Sequence, residues 1–363
     1  MKRDIRRYAQ IARDGGLLAA LRRGVLGAIP VPPSPAEEES ADLHVYEWPG
    51  YDDPALFAEY LGRFPEARPS FTYVTNTEEA IRHLRDGLRV DLVHTEVGYT
   101  QDFVDLGAIQ PFDVELIPNF AQLVPGMTAR GRIDGQQYLV PLEWGFSVPL
   151  YDADRVEPER PSYDLLFDQR YAGRICWNDT PWMLVVAGYV LAAAEPWDMT
   201  DQELEDAKAF LIDRKALLHH LSTDRTELDR HIGEGEVWIA YAWNSSYIAA
   251  LRAGVNAVFL TDVEEGAISR TEGFVLVAGC ESYHHAHGYV DAWASRATAE
   301  WLMGHHGSGH SNLTADRGRL DPAIVPVSRS GSAAGSDGPG IHPDRYVPRR
   351  ATYIQAWEDV KNA

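Results

Sequence analysis

Acidic and aromatic residues recur side by side at four places in this chain, and together they suit the recognition of an organic amine. The stretches are Tyr46-Glu47-Trp48-Pro49-Gly50-Tyr51, Pro141-Leu142-Glu143-Trp144-Gly145, Trp177-Asn178-Asp179-Thr180-Pro181-Trp182 and Ala240-Tyr241-Ala242-Trp243-Asn244. Each closes a short apolar run of β-like composition. Strand ends of an α/β sheet are where ligands settle, because the backbone leaves the sheet there and side chains converge in a crevice. A ring face attracts an ammonium group by its quadrupole, worth roughly 0.5–2 kcal/mol. A carboxylate adds a charge-assisted hydrogen bond.

The composition is compatible with such a site. A chain of 363 residues exceeds one comfortable core, so two lobes or domains are expected. Its 33 basic against 54 acidic residues leave a formal charge of -21, which disfavours nucleic acid and anionic membranes and favours cationic partners. Cys176 and Cys280, the only cysteines, are too few for a disulfide framework and match no zinc motif, so two buried thiols are expected. No metal or cofactor signature is present.

Residues 1–42 stand apart as a basic arm followed by a Pro- and Glu-rich linker. No apolar run there has the length of a secretory core followed by a cleavage site, or of a membrane span. The arm suits either an amphipathic helix on a membrane surface or a docked or disordered tail.

From Leu43 onward strand and helix patterns alternate, which predicts two α/β lobes on mainly parallel sheets. Asn76 with Glu79, and Thr200 with Glu203, have the spacing of helix-capping pairs. The second pair opens a helix expected to run to about Leu221, ending at His219-His220. Short strands are expected at Leu139–Leu142, Val148–Tyr151 and Phe274–Ala278, and one helix over Gly288–Gly304. Ser328–Gly340 has the composition of a loop, and Arg350–Lys361 of a closing helix.

The order of these motifs resembles the spermidine/putrescine-binding proteins of ABC importers, from Leu43 to the C-terminus. The matching stretches are Tyr46-Glu47-Trp48 with Tyr51, Thr72-Tyr73 with Asn76, Asp91-Leu92-Val93, Val140-Pro141 with Trp144-Gly145, Tyr171-Ala172-Gly173 with Asp179, Gly235-Glu236-Val237 with Trp243-Asn244, and Val325-Pro326-Val327. The resemblance implies a two-lobed, type II periplasmic-binding-protein fold with the ligand in a cleft between lobes. The lobes would be residues 43–149 plus 271–322 and 150–270 plus 323–363, hinged near Pro149-Leu150 and Thr271. It further implies that Trp48, Tyr51 and Trp243 wall an aliphatic chain, that Asp179 grips an amine, and that Glu272 supplies a second amine-binding acid. A monomeric receptor outside the cytoplasm, membrane-associated and delivering a polyamine to the transmembrane subunits of an ABC permease, is the corresponding function.

The chain also departs from that family. Trp182 stands where the family has an acid, and Arg270 where it has an aromatic residue. Arg270 either pairs with Glu272 or receives a ligand carboxylate through its fork, which would make the ligand a zwitterionic ω-amino acid such as γ-aminobutyrate. Glu96 and Glu143 add negative charge near the site. Simpler roles suit several of these residues: Trp48 and Tyr51 as strand-end core, Trp144 as packing beside Gly145, Asp179 as a helix N-cap. The histidines at 284, 285 and 287, and at 305, 306 and 310, suit solvated positions around a surface helix better than metal ligation. The rival class is a hydrolase using Glu143 and Asp179 as an acid/base pair, although no catalytic motif accompanies them.

Overall fold

The computed structural model describes residues 39, 42–73, 76–328 and 339–363. The expected basic arm, and the body of the Ser328–Gly340 loop, lie outside the described residues. Twelve strands form one continuous sheet: β1 (His44–Glu47), β2 (Ser70–Tyr73), β3 (Leu92–Glu96), β4 (Ile109–Gln110), β5 (Leu139–Asp152), β6 (Ile175–Asn178), β7 (Leu218–Ser222), β8 (Ile239–Trp243), β9 (Ala257–Phe259), β10 (Ala267–Val277), β11 (Gly309–His310) and β12 (Ile341–Pro343). Its spine runs β2-β1-β3-β10-β5-β8-β6-β7, with the other four strands paired at its flanks. The outer pairs β1–β2, β1–β3, β6–β8 and β6–β7 are parallel. The central β3–β10, β10–β5 and β5–β8 pairs are antiparallel.

Two lobes result because β5 and β10 are long. β5 spends its first half against β10 and its second against β8 and β9. Two short strands were expected where β5 runs unbroken for 14 residues. β10 starts seven residues earlier than the expected Phe274, because Ala267–Thr271 pairs with β12 and the middle of β5.

Alternation along the first-lobe strands sorts their side chains to two faces. Val45, Leu92, Phe274 and Leu276 pack into one core, Tyr46, Val93 and Val275 into another. The second lobe has a single large core that also takes in Val124 and Met127.

The helices that bear on the site are α1 (Thr77–Arg85), α2 (Thr100–Leu106), α3 (Trp182–Val190), α4 (Asp201–Arg214), α5 (Tyr283–Trp293), α6 (Arg296–His306) and α7 (Arg350–Asn362). Asn76 caps α1 by accepting from the Glu79 amide, and Thr200 with Glu203 closes a full capping box on α4. α4 ends at Arg214, and His219-His220 lie on β7 instead of at a helix end. The single helix expected over Gly288–Gly304 is two, because Ser295 caps α6 by accepting from the Thr298 amide. The histidines around these helices are not the solvated set expected: His285, His287 and His310 are at most 3% exposed, and His287 accepts from the Asp113 amide. α7 buries Tyr353, Trp357 and Val360, spaced as one helical face, in the second-lobe core. Cys176 and Cys280 are both buried and free.

Candidate ligand-binding site

Strand register, more than sequence proximity, assembles the acids. Glu272 of β10 pairs with Glu96 of β3 on one side and Glu143 of β5 on the other. Neighbouring strands lie about 4.8 Å apart, so the three carboxylates form a row across the sheet where the lobes meet. A register shift falls directly after Glu272, where Gly273 faces Pro141. A Cβ on Gly273 would lie 2.0 Å from the Val140 carbonyl oxygen, so only glycine permits the strands to approach there.

Behind this row sits His94, on the same face as Glu96 and stacked on Phe274 at 4.6 Å. Its Nδ1 is 2.6 Å from Glu47 Oε1 and its Nε2 is 3.9 Å from Glu143 Oε1. Burial disfavours an imidazolium here, but Glu47, Glu143 and Glu272 outweigh it and push the ring up to about 9. Glu96 is pushed up to about 7 by burial and by Glu272, against the Thr77 hydroxyl that donates to it. Glu143 is likewise pushed up to about 7, first by burial and then by Glu272. His94 and the Tyr51 and Ser308 hydroxyls oppose that rise, yet neither Glu143 oxygen has an aligned hydrogen-bond partner. Donor atoms of His94, Glu143 and Glu272 all lie within 4.8 Å of one another, so a metal ion could also be held there. His219 or His220, with His231 and a nearby glutamate, offers a second, more exposed set.

In front of the row lies a narrow cleft between the lobes. Glu96, Gly98 and Tyr99 line it from the first lobe, and Trp182, Trp197 and Tyr241 from the second. Ser147, Ile268 and Arg270 form its floor on β5 and β10, and Asp344, Arg345 and Arg350 enter from the C-terminal segment. Asp344 ties the parts together, accepting from the Gly98 amide at 3.1 Å, the Thr271 amide at 3.0 Å and Arg130 Nη2 at 3.0 Å.

Of the ten residues singled out in the sequence, Glu96, Trp182 and Arg270 line this cleft directly. Arg270 donates to Glu272, and its Nε donates to the Ser147 hydroxyl at 3.0 Å. Its guanidinium lies 5.7 Å from the Trp243 ring centroid, which brings Glu272 and Trp243 to the same place. Glu143, in the row, and Tyr51, behind it, do not line the cleft, and Tyr51 is wedged between His94, Trp293 and His306. Trp48 packs in the core on the other face of the sheet, its indole N–H buried without a partner. Trp144 is 1% exposed and lies so close over Gly309 that a Cβ there would meet its ring at 2.0 Å.

Asp179 is engaged elsewhere, accepting from Trp357 Nε1 at 2.7 Å and pairing with Lys361 Nζ at 3.2 Å, both on α7. Glu143 and Asp179 therefore have separate sets of neighbours. Sequence reasoning passed over His94, two residues before Glu96, and Tyr99, three after it. It also passed over the arginines of the C-terminal segment, which carry no local motif.

The model of a family described as bacterial extracellular solute-binding protein matches residues 72–305. The chain belongs to this family. Members are solute-binding proteins rather than enzymes, working with ABC-transporter permeases. The spermidine/putrescine-binding periplasmic protein of Escherichia coli is 25% identical over 254 residues, covering 68% of this chain and 70% of that relative. Among solved structures, a Listeria monocytogenes protein provisionally named as a spermidine/putrescine ABC transporter superposes with a TM-score of 0.78 at 15% identity, over 89% of this chain and 99% of that one. The PBP MotA of A. tumefaciens, solved with glucopine, gives a TM-score of 0.74 at 14% identity over 88% and 99%. These likenesses identify the two-lobed type II binding-protein fold. No described helix of this solute-binding protein is long and apolar enough to cross a membrane.

Proposed function

We propose that the chain is the receptor of an ABC importer outside the cytoplasm, and that its ligand carries at least one amine held in the cleft against Glu96. The observation that carries this reading is the charge around the acid row. Among the described residues, Glu47, Glu96, Glu143 and Glu272 are four carboxylates whose nearest cations are His94 and Arg270, in a region shielded from water. With every acid ionised, two negative charges are left without a counter-ion, and a buried unpaired charge is costly. An ammonium group placed against Glu96 relieves that cost, and the Trp197 and Tyr241 rings line the same cleft for its alkyl chain.

A polyamine such as spermidine or putrescine fits the excess of acid and accords with the relatives' names. Closure of the two lobes about β5 and β10 would exclude water from the pair and present a closed face to the permease. The lobe limits 43–149 plus 271–322 and 150–270 plus 323–363, and a monomeric state, belong to the same proposal.

The test is calorimetric titration of the purified protein with putrescine, spermidine, γ-aminobutyrate and a neutral sugar, repeated with Glu96→Gln. An amine is expected to bind and to lose at least tenfold in affinity in the variant. Binding of the sugar alone, or unchanged amine affinity in Glu96→Gln, would overturn the reading.

A further inference from the structure

The cleft has an end that the acids do not explain. Arg350, the first residue of α7, is 7% exposed, and its guanidinium reaches across from the second lobe to the first. There its centre lies 3.6 Å from the Tyr99 ring centroid and 5.3 Å from that of Trp182. Nη2 is fully used, donating to the Gly98 carbonyl at 2.9 Å and to Asp102 at 3.0 Å. Nε and Nη1 are buried and have no hydrogen-bond partner. A guanidinium that is charged at all accessible pH, held rigid by two rings and two acceptors, and left with two buried unmet donors beside the cleft is suited to an anion.

Its surroundings support this. Glu78, the other acid near Arg350, is engaged by the Tyr99 hydroxyl at 2.5 Å. Asp344, on the same wall, is bound by Arg130 and two backbone amides. Arg345, also on that wall, pairs only loosely with Glu195, at 3.4 Å. Arg350 pairs with Asp102 through Nη2 alone, whereas Arg270 donates to Glu272 through Nη1 and to Ser147 through Nε, and so is the weaker candidate for an anion.

We propose that Arg350 is a carboxylate-binding residue, and that the ligand is an amino acid whose amine meets Glu96 and whose carboxylate meets the free Nη1 of Arg350. This rests on the amine-receptor reading and narrows its ligand class from amines in general to zwitterions. A desolvated arginine rejects a second ammonium group as strongly as it favours a carboxylate, so the site discriminates between ligands of equal length.

The experiment compares 5-aminovalerate with putrescine, and the simple carboxylate valerate with both, by calorimetry on the wild-type chain, Arg350→Gln and Arg270→Gln. The expected result is that 5-aminovalerate binds at least tenfold more tightly than putrescine. That preference should vanish in Arg350→Gln and survive in Arg270→Gln. Tighter binding of putrescine would overturn the carboxylate subsite and leave the amine reading standing. Loss of the preference only in Arg270→Gln would likewise overturn it, placing the carboxylate on Arg270. Valerate binding as tightly as 5-aminovalerate would support the subsite and overturn the amine reading, and binding of no probe would overturn both. Should Arg350→Gln fail to fold, the wild-type ranking of 5-aminovalerate and putrescine together with its survival in Arg270→Gln decides.

Discussion

Glu96, Glu143 and His94 make pH the sharpest probe of this site. The two carboxyls sit at about 7 and the imidazole at about 9, each above its ordinary value of 4.5 or 6.5. A group raised on folding binds more protons in the native state, so the stability it contributes is lost as pH rises through its folded value. The ligand-free protein should therefore melt at progressively lower temperature from about pH 6.5 to 9. Below that window His306 and His310, both held neutral by burial with values near 3, act the other way and cost stability as pH falls. Ligand affinity should show the opposite slope above pH 5.5. An ammonium favours the ionised carboxylates, so affinity should rise about tenfold per pH unit, up to about 7, for each carboxyl that must shed its proton. Melting curves and calorimetry between pH 5.5 and 9 check both slopes, and a flat affinity would remove Glu96 and Glu143 from ligand binding. Asp179 shows the opposite lesson. Its place at the head of an apolar helix suggested a cap or an amine ligand, yet Trp357 and Lys361 from α7 take both its oxygens.

Among the elements, β10 determines whether the acid row exists. Its register against β3 and β5 places Glu272 between Glu96 and Glu143, and the shift after Glu272 depends on Gly273 having no side chain. Gly273→Ala should cost about 1–3 kcal/mol of stability through forced strand separation. It should also weaken ligand binding at least tenfold, since Glu272 and Arg270 move with the strand. Denaturant unfolding and calorimetry read the two effects separately, and a stable variant with full affinity would show that the close approach is dispensable. The helix α7 has a similar positioning role. The sequence carried the helix itself, the structure its buried face of Tyr353, Trp357 and Val360, and Lys215 satisfies its last carbonyls at 3.0 and 2.9 Å. That anchoring is what delivers Arg350 to the cleft.

At the scale of the molecule, two lobes joined by two long strands can move against each other. Ligand binding should therefore close the cleft and reduce the radius of gyration seen by small-angle X-ray scattering. An unchanged radius with saturating ligand would mean that the site fills without closure. Contacts that already span the lobes, Arg350 to Gly98 and Asp344 to both Gly98 and Thr271, are the ones a closed state would keep.

What the sequence determined was local: the α/β alternation, the capping pairs at Asn76 and Thr200, the two buried thiols, and a chain rich in acids beside aromatic rings. These depend on short-range periodicity and on hydrogen bonds within a few residues, so the order of residues suffices to read them. Partnership was decided only in three dimensions. Glu96, Glu143 and Glu272 became one row through strand register, Asp179 was claimed by a helix from the far end of the chain, and Arg350 reached the cleft by riding on α7. Contacts between residues distant in sequence depend on how whole elements pack, and neither spacing nor residue type carries that information.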